Sequence, residues 1–97
     1  IMDFKKNLTE YVGTTFFLFV IIATGNWLLI GAALAVAALV GGPISGGMYN
    51  PAVTGMMIMA GKMKGEDVLP YVIAQCLGAV SAYGLSKVIK LPKLPKL

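Results

Sequence analysis

Asn50-Pro51-Ala52 has the chemistry of a helix start, and it stands where a helix start is costly. Asn is among the best N-cap residues, and Pro is favoured at the first helical position. The surrounding segment reads Pro43-Ile44-Ser45-Gly46-Gly47-Met48-Tyr49-Asn50-Pro51-Ala52-Val53-Thr54, inside a chain that is otherwise mostly apolar. A helix that begins inside a bilayer leaves backbone N–H groups unpaired at its start. Such groups are tolerated only against buried protein or a water-filled cavity. The segment therefore predicts a re-entrant half-helix, and a half-helix points to a pore or a transport site. Its N-terminus would carry roughly half a positive charge from the aligned peptide dipoles.

Two further polar residues stand where lipid would penalise them. Glu10 opens the first apolar run, and Gln75 sits well inside the last one. An intramembrane carboxylate is expensive unless it faces the bundle interior with partners. The alternative for Glu10 is an interfacial residue beside Lys5 and Lys6. Neither position suggests catalysis. The chain has no His and no Arg, and it offers no pairing of nucleophile with base. Cys76 is the single cysteine, which excludes an intrachain disulfide and a cysteine metal cluster. It reads as small core filling. No cofactor and no metal centre is expected. Met48, Met56, Met57, Met59 and Met63 cluster around the half-helix, where Met usually fills irregular gaps. Met48 could instead line a vestibule.

The elements that must hold these residues are membrane spans. Apolar residues make up 58% of the chain and charged residues only 12%, half the share of an ordinary soluble domain. The run from Tyr11 to Ile44 is longer than one crossing needs at ~1.5 Å per residue and ~30 Å of hydrocarbon. Gly25-Asn26 is a turn signal inside it. The reading is an all-α membrane protein: helices over about 8–26 and 27–42, a re-entrant loop and half-helix over about 43–61, a third spanning helix over about 67–90, and a tail over 91–97. Pro70 would sit in the first turn of that last helix, where Pro is tolerated. The first apolar run has no small-residue cleavage site and reads as part of the fold. Gly31, Ala35, Ala38 and Leu39 suggest one small packing face, and Ala74, Gly78, Ala82 and Ser86 another.

The Asn50-Pro51-Ala52 segment closely resembles the signature of the aquaporin and aquaglyceroporin channels, the major intrinsic protein family. Thr9-Glu10-Tyr11-Val12-Gly13-Thr14 resembles the start of that family's first span. Tyr71-Val72-Ile73-Ala74-Gln75-Cys76-Leu77-Gly78-Ala79 resembles its third. Members carry two such halves in one chain, inverted relative to each other, whereas these 97 residues hold one. The resemblance implies that Glu10 accepts hydrogen bonds from the re-entrant backbone and that Gln75 braces it. It also implies pore-lining roles for Asn50, Ala52, Val53, Ile30, Ala38, Gly47 and Met48. The family's filter positions fall on Ile30, Ala38, Gly47 and Val53, with Val53 where an Arg is common. That ring is apolar and small, so the expected pore is wide: water should pass, and so should glycerol- or urea-like neutral solutes, with ammonia a further candidate. The same four residues would also serve as ordinary packing.

The lysines bear on assembly. With the N-terminus cytoplasmic, Lys5, Lys6, Lys62 and Lys64 lie on that side and Lys87, Lys90, Lys93 and Lys96 on the other. Orientation follows the Lys and Arg near the spans, so this balance expresses no preference. Without Lys93 and Lys96, in the repetitive tail, the count mildly favours the N-terminus inside. Two antiparallel copies would rebuild the inverted pair. The expectation is an antiparallel homodimer forming one pore, with fourfold assembly giving a tetramer of dimers. The rival reading is a non-conducting scaffold or regulatory half that pairs with another channel chain. The net charge of +4 does not imply nucleic acid, because the lysines sit at helix ends, where they anchor to lipid headgroups.

Overall fold

A computed structural model describes residues 3–92 and 94. Its element order is α1 (Phe4–Thr24), α2 (Trp27–Ser45), α3 (Pro51–Met59) and α4 (Gly65–Val88). Local chemistry sets each boundary. Asp3 caps α1 by accepting from the Lys6 N–H, and the helix ends on Gly25 at φ 56°. Only Gly25 and Asn26 separate α1 from α2. Asn26 Oδ1 accepts from the N–H groups of both Leu28 and Leu29 at 3.0 Å. At the far end of α2, Gly46 takes φ 93°, a conformation that glycine adopts without steric cost.

The helix ends differ from the sequence reading in informative ways. The first helix begins at Phe4 rather than near residue 8, because Asp3 supplies a cap that hydropathy does not reveal. The second continues through Pro43 to Ser45 instead of stopping at 42. Helix α4 starts at Gly65, so Pro70 lies in its second turn. Pro70 removes one ladder donor, and the Glu66 carbonyl it would have bonded belongs to an exposed residue. Glu66 and Asp67 in the first turn suit the positive end of the helix dipole. Lys93 and Lys96 lie outside the described residues.

Helices α1, α2 and α4 are each long and apolar enough to cross a membrane, at 21, 19 and 24 residues. Helix α1 is the hub. It packs against both α2 and α4, while α3 packs against α4. The bundle is polar inside and apolar outside. The largest fully buried side chains are Gln75, Glu10, Thr14 and Thr54, whereas Leu39 is 78% and Val80 69% exposed. Lipid presents no hydrophobic drive to bring helices together, so small residues and interhelical hydrogen bonds must do so. Both are present. Tyr11 and Ser81 share a hydroxyl–hydroxyl bond of 2.6 Å between α1 and α4. Ala74, Gly78 and Ala82 are buried on α4.

On α2 the small face was misassigned. The buried stripe is Ala33, Ala37, Gly41 and Ser45, and Gly31, Ala35, Ala38 and Leu39 are exposed in this chain. Helix α2 carries small residues all round, so spacing alone does not choose between stripes a few residues apart.

Gly78 marks a close approach of α4 to α1. A Cβ there would stand 2.8 Å from Thr14 Cβ and 3.1 Å from the Tyr11 carbonyl, while one on Gly84 would meet nothing. Gly78→Ala should therefore destabilise the bundle by about 1–3 kcal/mol, the usual cost of overpacking. Gly84→Ala should be neutral or slightly stabilising through helix propensity. Unfolding of both variants in detergent micelles checks the contrast, and equal stabilities would contradict it.

Candidate functional site

Between α2 and α3 the chain leaves helical structure for residues 46–50, and this short loop is drawn inside the bundle. Gly46, Gly47 and Tyr49 all have positive φ, at 93°, 60° and 56°. Tyr49 is the exception among them, since a bulky residue rarely adopts the left-handed region. The turn points successive backbone N–H groups inward, where something must accept from them.

Glu10 is that acceptor. It is 0% exposed and receives four hydrogen bonds. The Met48 N–H donates to Oε2 at 3.1 Å and the Tyr49 N–H to Oε1 at 2.7 Å. The Ser45 hydroxyl donates to Oε2 at 2.7 Å, and Gln75 Nε2 donates to Oε1 at 3.0 Å. Gln75 Nε2 also donates to Thr54 Oγ1 at 2.8 Å, so one amide ties α1 to α3 from its place on α4. Thr54 in turn donates to the Asn50 carbonyl at 3.0 Å. The Tyr71 hydroxyl reaches the Ser45 carbonyl at 2.5 Å, fastening α4 to the end of α2. Two buried atoms lack a partner among the described residues, Thr14 Oγ1 and Gln75 Oε1.

The loop delivers Asn50 to the start of α3. Asn50 Oδ1 accepts from the Ala52 N–H at 2.8 Å, and Pro51 occupies the first helical position. Asn50, Pro51 and Ala52 are exposed, and Val53 is half-buried one position further on. Of the four counted filter positions, Ala38 and Gly47 are brought together: a Cβ on Gly47 would lie 3.3 Å from Ala38 Cα. Ile30 is not with them, since it lies two helical turns away, about 12 Å along α2. Met48 is buried at 6% exposure. It borders a cavity of about 370 Å³ with Met57, Lys62, Lys64 and Tyr71. Met56 and Met59 are largely exposed and fill no gap in this chain. Cys76, read as core filling, is exposed as well.

The sequence reading missed Ser45, Thr54, Tyr71 and Tyr49. Ser45 and Thr54 were legible in principle as polar residues flanking the helix-start segment. Tyr49 carried no signal, because nothing in the sequence shows its left-handed backbone. The lysines separate by position along the bundle. Lys6, Lys62 and Lys64 border one cavity at the loop end, where Lys6 pairs with Asp67 at 3.6 Å. Lys87 and Lys90 border another at the opposite end.

Three spans around a polar core define an all-helical, multi-pass integral membrane protein. Residues 1–94 match the major intrinsic protein family, and the chain belongs to that family. It is 40% identical over 87 residues to glycerol uptake facilitator protein-like 6 of Lactiplantibacillus plantarum, covering 80% of this chain and 40% of that protein. It is 42% identical over 65 residues to aquaporin Z of Brucella melitensis, covering 67% and 28% respectively. It is 33% identical over 101 residues to the probable aquaporin PIP2-8 of Arabidopsis thaliana, covering 87% and 36%. The chain thus spans less than half the length of these curated relatives. No solved structure gives a significant match.

Glu10→Gln tests the acceptor role. The amide keeps the shape but replaces one acceptor oxygen with a donor, which then faces a donor already present. At least one buried N–H of the loop loses its partner, at a cost of about 1–3 kcal/mol. Amide hydrogen exchange at Met48 and Tyr49 should quicken while exchange in mid-α1 does not. Unchanged loop exchange would contradict this assignment.

Proposed function

We propose that the chain is one half of a passive channel for water and small neutral solutes, closed by a second half in inverted orientation. The observation that carries the reading is the inward loop on Glu10, which presents Asn50 and the start of α3 on an exposed face among three membrane-length helices. The family membership supports it, as do the names of the relatives, a glycerol uptake facilitator-like protein and aquaporins.

Helix α3 is a re-entrant half-helix in this reading. Two such helices, one from each half, meet near the midplane with their positive ends facing. A cation must shed water and then meets this field, so it is turned away. A neutral hydroxyl or water oxygen accepts from the Asn50 amides and passes. The same field opposes proton relay along the water file. No bond is made or broken, and flow follows the gradient.

Each mouth is a ring of Ala38, Gly47 and Val53 from one half with Ile30 from the other. Within one half Ile30 lies about 12 Å from Ala38, towards the opposite end of α2, which brings it level with an inverted partner's loop. The ring holds no Arg and admits glycerol- or urea-like molecules as well as water. The second half is a second copy of this chain, in a tetramer of such dimers. The near-balance of lysines between the two ends supports insertion in both orientations.

Osmotic swelling of proteoliposomes containing this chain alone, with water, glycerol and urea, tests the reading. Flow above that of empty vesicles, without sodium leak, is the expected result. No flow in well-folded protein overturns conduction by this chain alone and favours the scaffold reading. Orientation is tested separately: a Glu66→Cys label in a Cys76→Ala background should react from both faces of the membrane. Labelling from a single face would sink the homodimer. Val53→Arg should lower the glycerol-to-water permeability ratio, because a guanidinium narrows the ring for the larger solute. An unchanged ratio in an assembled variant would remove Val53 from the constriction.

A further inference from the structure

We propose that Tyr49 is a positioning residue of this channel half, a latch that holds the loop before Asn50 against α2; its functional part rests on the channel reading above. The side chain is almost wholly buried, at 3% exposure. Its hydroxyl donates to the Ala37 carbonyl of α2 at 2.6 Å. Its N–H is the shorter of the two loop bonds to Glu10. Tyr49 is therefore tied at both ends, by its backbone to α1 and by its side chain to α2.

The surroundings are shaped for this side chain. A Cβ on Gly13 of α1 would collide with the Tyr49 ring, and one on Gly41 of α2 would collide with the hydroxyl. The two glycines open a slot between helices that otherwise pack side by side, and the ring fills it. A left-handed backbone at Tyr49 is costly for a bulky side chain and persists only when the surroundings enforce it. The hydroxyl bond and the slot supply that enforcement. One residue later stands Asn50, so the angle at Tyr49 aims the Asn50 side chain and the axis of α3. Two residues earlier stands Gly47, against Ala38. One hydroxyl thus holds the loop to the wall of the passage at both its filter residue and its Asn.

Tyr49→Phe removes the hydroxyl and keeps the ring in its slot. Tyr11→Phe is the control, since it removes a bond of the same length, to Ser81, away from the loop. Two readouts are compared in each. Amide exchange at Met48 and Asn50 should rise about five- to tenfold in Tyr49→Phe, the change that losing one hydrogen bond produces in a local opening equilibrium. In proteoliposomes the glycerol-to-water permeability ratio should fall, with measurable sodium leak, as the released loop moves into the passage. Tyr11→Phe should alter neither. Unchanged loop exchange in Tyr49→Phe overturns the latch. Quickened exchange with an unchanged ratio and intact cation exclusion overturns the positioning role. A similar change in Tyr11→Phe would reduce the effect to general loosening and overturn it too. Failure of the channel reading itself would show in the wild type, before any variant is compared.

Discussion

A carboxylate set among helices of hydrocarbon length has to be surrounded by donors, and most of this architecture follows from how the donors reach Glu10. Two come from the backbone of the loop at Met48 and Tyr49, one from Ser45 at the end of α2, and one from Gln75 on α4. No two of these elements can be satisfied independently. The loop N–H groups would be orphans without Glu10, and Glu10 would be an uncompensated buried charge without the loop. Gln75 extends the same network to Thr54, so the position of α3 is set by the group that holds the loop. Interactions of this kind strengthen where water is absent, and the cost of leaving one unmade rises equally.

The rest of the bundle inverts the pattern of a soluble domain. Polar side chains fill the deepest positions, and many Leu and Val side chains, with Met56 and Met59, face outward. Association then depends on close backbone approach, which Gly78 allows between α1 and α4 and Gly41 between α1 and α2. Helix α3 packs along α4 and α2 along α1, with α2 joined to α4 at its end through Tyr71 and Ser45. That leaves a polar helix start and an alanine-rich helix surface uncovered in this chain. An inverted second half supplies the opposing wall in the proposed channel.

Much of this was legible in the sequence, for reasons that are local. Asn50-Pro51 marks a helix start by capping chemistry alone, and Gly25-Asn26 marks the turn between α1 and α2 in the same way. Glu10 and Gln75 were conspicuous because lipid penalises them unless they turn inward to partners. What stayed hidden depends on three dimensions. The choice of Ala33, Ala37 and Gly41 over Gly31, Ala35 and Ala38 as the packing stripe needs the neighbour's position. The start of α1 turned on a single Asp3 cap. Tyr49 gave no signal, because its backbone angle leaves no mark in the residue types and its carbonyl partner, Ala37, lies twelve residues away on α2.

In the proposed channel the loop held by Glu10 sits deep in the bilayer and faces water. Ala52 is exposed, adjoins the Asn50 cap, and accepts a cysteine without removing it. The direct measurement is Ala52→Cys in a Cys76→Ala background, reconstituted in bilayers and followed in two ways. Its depth is read from quenching of an attached fluorophore by lipids labelled at known positions along the chain. Its wetness is read from reaction of the free thiol with a small water-soluble reagent. The account predicts a position near the bilayer centre together with rapid reaction. A position at headgroup depth, or a central thiol that water-soluble reagent cannot reach, would contradict it.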